Sequence, residues 1–219
     1  SPSRGLGDVY KRQGPDPIKP AWVRGLLNFE PSNRSNWDPQ WDIHRSPLWQ
    51  YVQSEEIFKC PADKSLVWVG EKAMPRVRSM AMNVHCGAWG EGEKTYWFGY
   101  RVYQKESDFV DPGPSSTFLF LDVREDAVNY GNFLVGMKGY PDFPEQTLIF
   151  DFPASYHNRA ATLSFVDGHS EVKKWQHPDT MPPLVKGGLL PQIAEMPTTL
   201  SSPGNPDVRW LQDHNTRLP

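Results

Sequence analysis

Apolar positions in this chain fall in short runs, continuous or alternating, that are bounded by Gly, Pro, Asn or Asp. Runs of that length with such punctuation predict strands at residues 76–84 (RVRSMAMNV), 96–103 (YWFGYRVY), 116–123 (STFLFLDV), 132–137 (NFLVGM) and 147–152 (TLIFDF). Residues 46–52 (SPLWQYV) predict one short helix, with Ser46 as N-cap, Pro47 at the first helical position and apolar Leu48, Trp49 and Val52 following. The stretch EEIFKCPADKS is expected to enter a strand and leave it at Cys60-Pro61, and DPGPSS (111–116) is a hard turn. Residues 21–29 form an apolar segment of either type, preceded by a turn-rich lead, GPDPIKP (14–20). After Trp175 the chain turns Pro-rich and aperiodic, which predicts a meandering tail from about 176, packed on the surface and anchored by DVRWLQ (207–212).

The best-patterned stretch is YHNRAATLSFVDGHSEVKKW (156–175). Two alternating runs, ATLSFV and SEVKKW, flank Asp167-Gly168, a strong hairpin signal because a type I′ turn needs positive φ at both central residues. A two-residue turn pairs Val166 with His169, Phe165 with Ser170 and Leu163 with Val172, which places Leu163, Phe165 and Val172 together on a core face. A three-residue loop is read as pairing Leu163 with Lys173 and scattering the apolar set, so the two-residue register is the expectation.

Composition narrows the picture further. A length of 219 residues with 22 Pro, 17 Gly and 9 Trp suits one loop-rich α+β domain of short strands. The net charge of −3 and the lack of a long basic run exclude nucleic acid and anionic membrane surfaces as electrostatic partners. Residues 3–13 (SRGLGDVYKRQ) match an in-frame translation of a widely used transposase sequencing adapter, so residues 1–13 are set aside as an adapter-derived, disordered artefact. The domain is then 14–219, and the natural reading frame is expected to continue upstream.

Candidate chemistry is sparse. His157 and Asp167, if joined by an extended chain, lie roughly 33 Å apart at about 3.3 Å per residue, too far to share a metal ion. Structural roles are therefore expected for His157, Asn158, Asp167 and Gly168, as local backbone partners in turns. His169 could still approach a neighbouring loop. The two cysteines, Cys60 and Cys86, lack a C-x-x-C spacing and indicate no zinc site; a Cys60–Cys86 disulfide is one pairing that export would allow. Asp122, Glu125 and Asp126 in LDVRED, and Asp38 and Asp42 in WDPQWD, are weak calcium candidates, since none matches a calcium-loop spacing. No nucleophile elbow, P-loop or dinucleotide fingerprint occurs.

His157, nine intervening residues and then Asp167-Gly168 resembles the prepilin-type H-x9-DG proteins, pseudopilin-like envelope proteins of planctomycetes, verrucomicrobia and their relatives. SPLWQYVQSEEIFKCPADKS, PRVRSMAMN, FLFLDVRED, DFPASYHNRAATLSFVDGHSEVKKW and SPGNPDVRWLQDHNTR look like successive blocks of one subgroup in order, covering nearly all of 20–217. The resemblance implies an α+β pseudopilin fold, an antiparallel sheet packed against a long N-terminal helix that this chain lacks. It implies no catalytic residues and no cofactor, calcium in a loop being the one ion some pseudopilins hold. It also implies assembly with other pseudopilin subunits or a type II secretion or type IV pilus-like apparatus. In that setting the full-length protein would be exported to the cell envelope and anchored in the inner membrane through the missing helix, which could carry a partner for Cys60. Two other function classes are weighed beside it. A secreted carbohydrate-binding module requires several exposed, coplanar Trp or Tyr side chains. A hydrolase requires His157, Asp167 and His169 to converge in a cleft.

Overall fold

The computed structural model of this protein describes residues 21–87, 96–97, 99–194 and 199–219; the adapter-like residues 1–13 and the lead at 14–20 lie outside them. Short helices and short strands mix along the chain, and the fold is α+β. The described residues divide into two compact units, one from those within 1–80, 125–131 and 184–198, the other from those within 81–124, 132–183 and 199–219. Among the described residues, no helix is long and apolar enough to cross a membrane.

In the first unit, the short helix expected at 46–52 forms as α1 (Trp49–Val52), and the Ser46 hydroxyl accepts the amide N–H of Leu48 at 3.1 Å. The strand expected to end at Cys60-Pro61 does not form. Glu55–Phe58 is a 3-10 turn, the Cys60 amide donates to the Ser79 hydroxyl, and Ser79 N–H donates to the Phe58 carbonyl, so these groups have no strand ladder to join. A hairpin absent from the expectations lies just beyond, with β1 (Leu66–Val69) antiparallel to β2 (Lys72–Pro75) and Val69 opposite Lys72. Gly70, at φ 61°, supplies the left-handed backbone that a two-residue hairpin loop accepts at its first central position. A second short helix, α2 (Pro191–Ala194), buries Ile193.

This unit joins three separate segments, and buried polar side chains connect them. Arg78, fully buried, donates from Nε to Asp42 Oδ2 (3.2 Å), from Nη1 to the Tyr130 carbonyl (3.1 Å) and from Nη2 to the carbonyls of Gly25 (2.7 Å) and Asn129 (3.1 Å). The other Asp42 oxygen accepts the amides of Arg24 (2.7 Å) and Gly25 (2.9 Å). Arg76 lies over the Phe29 ring and donates to the carbonyls of Glu125 and Val128. Asp126 links the other pair of segments, taking Val185 N–H on its carboxylate (2.7 Å) and Leu190 N–H on its carbonyl (2.8 Å). Leu27, Ile43, Phe58, Val67 and Val77 of the same unit are buried.

The second unit is organised on a five-stranded sheet of β3 (Met80–Asn83), β6 (Phe118–Asp122), β7 (Asn132–Phe133), β9 (Ala160–Phe165) and β10 (Ser170–Lys174), in the order β10-β9-β6-β3-β7. β9 runs antiparallel to both β10 and β6, while β3 and β7 run parallel. The strand expected over 76–84 shortens to β3 because the amides of Arg76, Val77 and Ser79 donate to the carbonyls of Ser65, Asn36 and Phe58 instead. The run at 96–103 is a hairpin rather than one strand: β4 (Tyr96–Trp97) pairs with β5 (Tyr100–Arg101), with Gly99 at φ 83° between them. A last pair joins β8 (Leu148–Ile149) to β11 (Leu200–Ser201).

The anchor expected at 207–212 is a helix, α3 (Pro206–Asp213). Asn205 caps it, accepting the amides of Asp207 (2.8 Å) and Val208 (3.3 Å), and Pro206 sits in the first turn where its missing N–H costs nothing. The Asp207 carboxylate in turn accepts the amides of Gln176 and His177, so residues following Trp175 are held rather than loosely draped. The Trp210 ring of α3 meets Trp175 edge-on at 6.4 Å, and Val208 and Leu211 are buried.

Candidate functional site

The H-x9-DG segment builds the β9–β10 hairpin, in a register that differs from the expected one. Ser164 faces Ser170, Leu163 faces Glu171 and Val172 faces Thr162. Gly168 N–H donates to the Phe165 carbonyl (3.0 Å) and Phe165 N–H to the His169 carbonyl (2.9 Å), which closes a three-residue loop. Of the two central residues of the expected I′ turn only Gly168 has positive φ, 92°, so the geometry is the alternative in which an ordinary turn is followed by one left-handed glycine. Leu163 and Phe165 share the buried face as expected. Val172 does not join them, being 68% exposed, and Lys173 sits on the core side with its ammonium 4.9 Å over the Trp210 ring.

A Cβ on Gly168 would meet no atom within 4 Å, so substitution there acts through backbone strain alone. Gly168→Val is expected to lower stability by about 1–3 kcal/mol, and Gly168→Asn by less, since Asn tolerates the left-handed region. Urea unfolding of the two variants checks this; equal midpoints for wild type and Gly168→Val would remove the loop assignment.

At the loop, Asp167 Oδ1 accepts the His169 amide (3.1 Å) and the His169 Nδ1–H (2.6 Å), and His169 Nε2 lies 3.5 Å from Glu171. The hydrogen bond with His169 holds the Asp167 carboxyl below the usual carboxylate range, and the same bond raises the imidazole above its ordinary value. The His169 ring also stacks on Phe165 at 4.3 Å. Both polar groups thus serve the loop they stand in.

His157 lies beyond the other end of β9. There Asn158 and Arg159 both adopt left-handed backbone, at φ 54° and 67°, which turns the chain into the strand. The Arg159 carbonyl accepts Trp175 N–H at 2.8 Å, and the Trp175 indole donates to the Ala154 carbonyl at 2.8 Å, fixing this turn against the end of β10. The six residues of β9 separate His157 from Asp167 by roughly 20 Å at about 3.3 Å per residue. The two do not meet.

His157 instead lies beside Asp122, its Nε2 3.8 Å from the fully buried carboxylate. That is ion-pair distance, longer than a hydrogen bond. A bridge between Val123 and Pro153, and the bond from Ala154 N–H to the Asp122 carbonyl (2.8 Å), bring the 153–157 segment to the end of β6. Sequence reasoning separated these two residues, and no spacing rule connects positions 122 and 157. A buried carboxylate beside a half-exposed imidazole can orient the ring. Of the other calcium candidates, Asp126 spends its carboxylate on the Val185 amide, and Glu125 is half-buried. Burial, with Asp63 and Asp126 nearby, pushes the Glu125 carboxyl up. Asp42 is the partner of Arg78, and Asp38 pairs with Arg34. Cys60 and Cys86 are buried thiols and form no disulfide with each other; burial pushes the Cys86 thiol well above its ordinary pKa, which disfavours the thiolate.

No family model, curated protein or solved structure matches this chain.

Proposed function

We propose that this protein is a non-catalytic structural subunit of a pseudopilin-like apparatus in the cell envelope, of the type II secretion or type IV pilus-like kind. The observation that carries the proposal is the hairpin. The H-x9-DG residues stand at opposite ends of β9, Asp167 bonded within its own loop and His157 beside Asp122, and this separation supports a scaffold rather than a shared cleft. The ordered blocks that resemble those of the prepilin-type H-x9-DG proteins support the same reading. Its partners are then other subunits of the apparatus, and its membrane attachment is an N-terminal helix; no cofactor is required.

The upstream reading frame tests this. An unbroken contig is expected to encode a basic leader ending in glycine, then an apolar or aromatic residue and a glutamate near the start of an apolar helix of about 20 residues, enough to span a bilayer. A frame encoding a cleaved signal peptide or another soluble domain would overturn the proposal. The competing hydrolase reading draws on the His157–Asp122 pair. Elemental analysis of the purified chain separates the two: a stoichiometric transition metal that is lost in His157→Ala would favour the enzyme.

A further inference from the structure

We propose that Lys59 and Asp63, in the KCPADKS segment (59–65) of the first unit, condense to an intramolecular isopeptide bond. The Lys59 ammonium lies 3.8 Å from Asp63 Oδ1 and 3.4 Å from the Ser65 carbonyl, and the side chains are 17% and 0% exposed. The two Asp63 oxygens differ. Oδ1 accepts the Ser65 amide N–H at 2.7 Å, whereas Oδ2 is buried with no hydrogen-bond partner among the described residues. A backbone donor on one oxygen is the arrangement that stabilises negative charge as a carboxyl carbon is attacked, and the other oxygen is left as the one to depart.

Glu125, close enough for its charge to be felt by both Lys59 and Asp63, is the proton carrier in this proposal. Arg76 connects the two segments, donating its backbone N–H to the Ser65 carbonyl (3.2 Å) and its guanidinium to the Glu125 carbonyl (2.5 Å). Burial lowers the pKa of the Lys59 amine, favouring the neutral nucleophile; burial, then Asp63 and Asp126, raises that of the Glu125 carboxyl, favouring a proton carrier. A buried ion pair is poorly solvated, so condensation to a neutral amide removes two charges that the interior holds at a cost, and the fixed geometry replaces a bimolecular encounter.

The step balances without an external reagent. From the neutral amine and acid, Lys59 Nζ forms a bond to Asp63 Cγ, the Cγ–Oδ2 bond breaks, and the departing hydroxyl leaves as water with one amine proton. Glu125 gives a proton to the leaving oxygen, takes one from nitrogen and ends unchanged. Nothing is oxidised or reduced. The proposal is independent of the function proposed above.

Intact mass of the denatured full chain, taken from folded protein, is the test. The expected mass is one water below that of the sequence. Trypsin, which needs a free Lys59 side chain, is then expected to leave residues 46–64 as a single peptide carrying the loss, while Asp63→Ala shows the full mass and is cut after residue 59. Glu125→Gln is expected to retain a larger unbonded fraction at equal age. Full mass in aged wild type with cleavage after Lys59, or a water loss that maps elsewhere such as Asp167-Gly168, would overturn the proposal; complete bonding in Glu125→Gln would remove the proton carrier from it.

Discussion

Asp42→Ala is expected to destabilise the first unit by about 3–5 kcal/mol, the range for removing one partner of a buried ion pair. The loss has two sources. The Arg78 guanidinium stays buried with its remaining bonds to carbonyls only, and the Arg24 and Gly25 amides lose their acceptor. Replacement of both charges removes the first source, so Asp42→Ala with Arg78→Met should cost less than the two single losses added together. Hydrogen exchange of the Leu27 and Val77 amides, bonded to the Asn129 and Asn36 carbonyls, reads this unit directly. A loss below about 1 kcal/mol in Asp42→Ala would mean that water reaches Arg78 and that the segments are held by apolar packing instead.

That clamp also marks the limit of what the sequence displays. Arg78 reaches partners 36 to 53 positions away, and neither hydrophobic period nor spacing announces such pairings, so residues 76–84 read as a continuous strand when half of them belong to a polar junction. β9 and β10 were legible for the opposite reason, since they are joined by a short loop and β9 alternates, and β6 was legible as a continuous apolar run. Even there the register was not fixed. Asp-Gly serves both a two-residue loop and a longer one ending in a left-handed glycine, and apolar Val172 on an exposed edge strand favoured the wrong choice. The β1–β2 hairpin was missed although Gly70 lies between two runs, because Leu66 and Trp68 are apolar on its exposed side and blur the alternation.

For the candidate site, the separation of His157 from Asp167 followed from strand geometry alone, and the structure keeps it. The approach of His157 to Asp122 depends on how the 153–157 segment crosses the end of β6, a matter of tertiary packing. The α3 cap lies between these cases. Asn205-Pro206-Asp207 is a helix-start signature, yet only the apolar positions that follow it were used to place an anchor.

Stability of the second unit is expected to carry two opposed pH dependences. His85 is buried with Nδ1 3.3 Å from Asn215 Oδ1, and burial drives its pKa down from 6.5 to about 4. Between those values the unfolded chain binds a proton that the folded chain does not, so stability rises with pH there, by at most about 1.4 kcal/mol per pH unit and about 3 kcal/mol in all. Asp151 behaves oppositely. Its carboxylate accepts the Leu134 amide at 2.7 Å, but burial drives its pKa up from 3.8 to about 7, so the folded chain holds the extra proton and stability falls as pH rises through that window. From pH 4 to 6.5 the two slopes oppose each other. His85→Gln should therefore lose stability more steeply than wild type as pH rises, and Asp151→Asn, whose amide oxygen still accepts from Leu134, should gain it more steeply. Urea midpoints of the three proteins at intervals from pH 4 to 7 measure the differences, which are expected to reach a few kcal/mol across the range. A His85→Gln profile parallel to wild type would mean that the imidazole is protonated in the folded chain; an Asp151→Asn profile parallel to wild type would mean that water relieves the carboxylate.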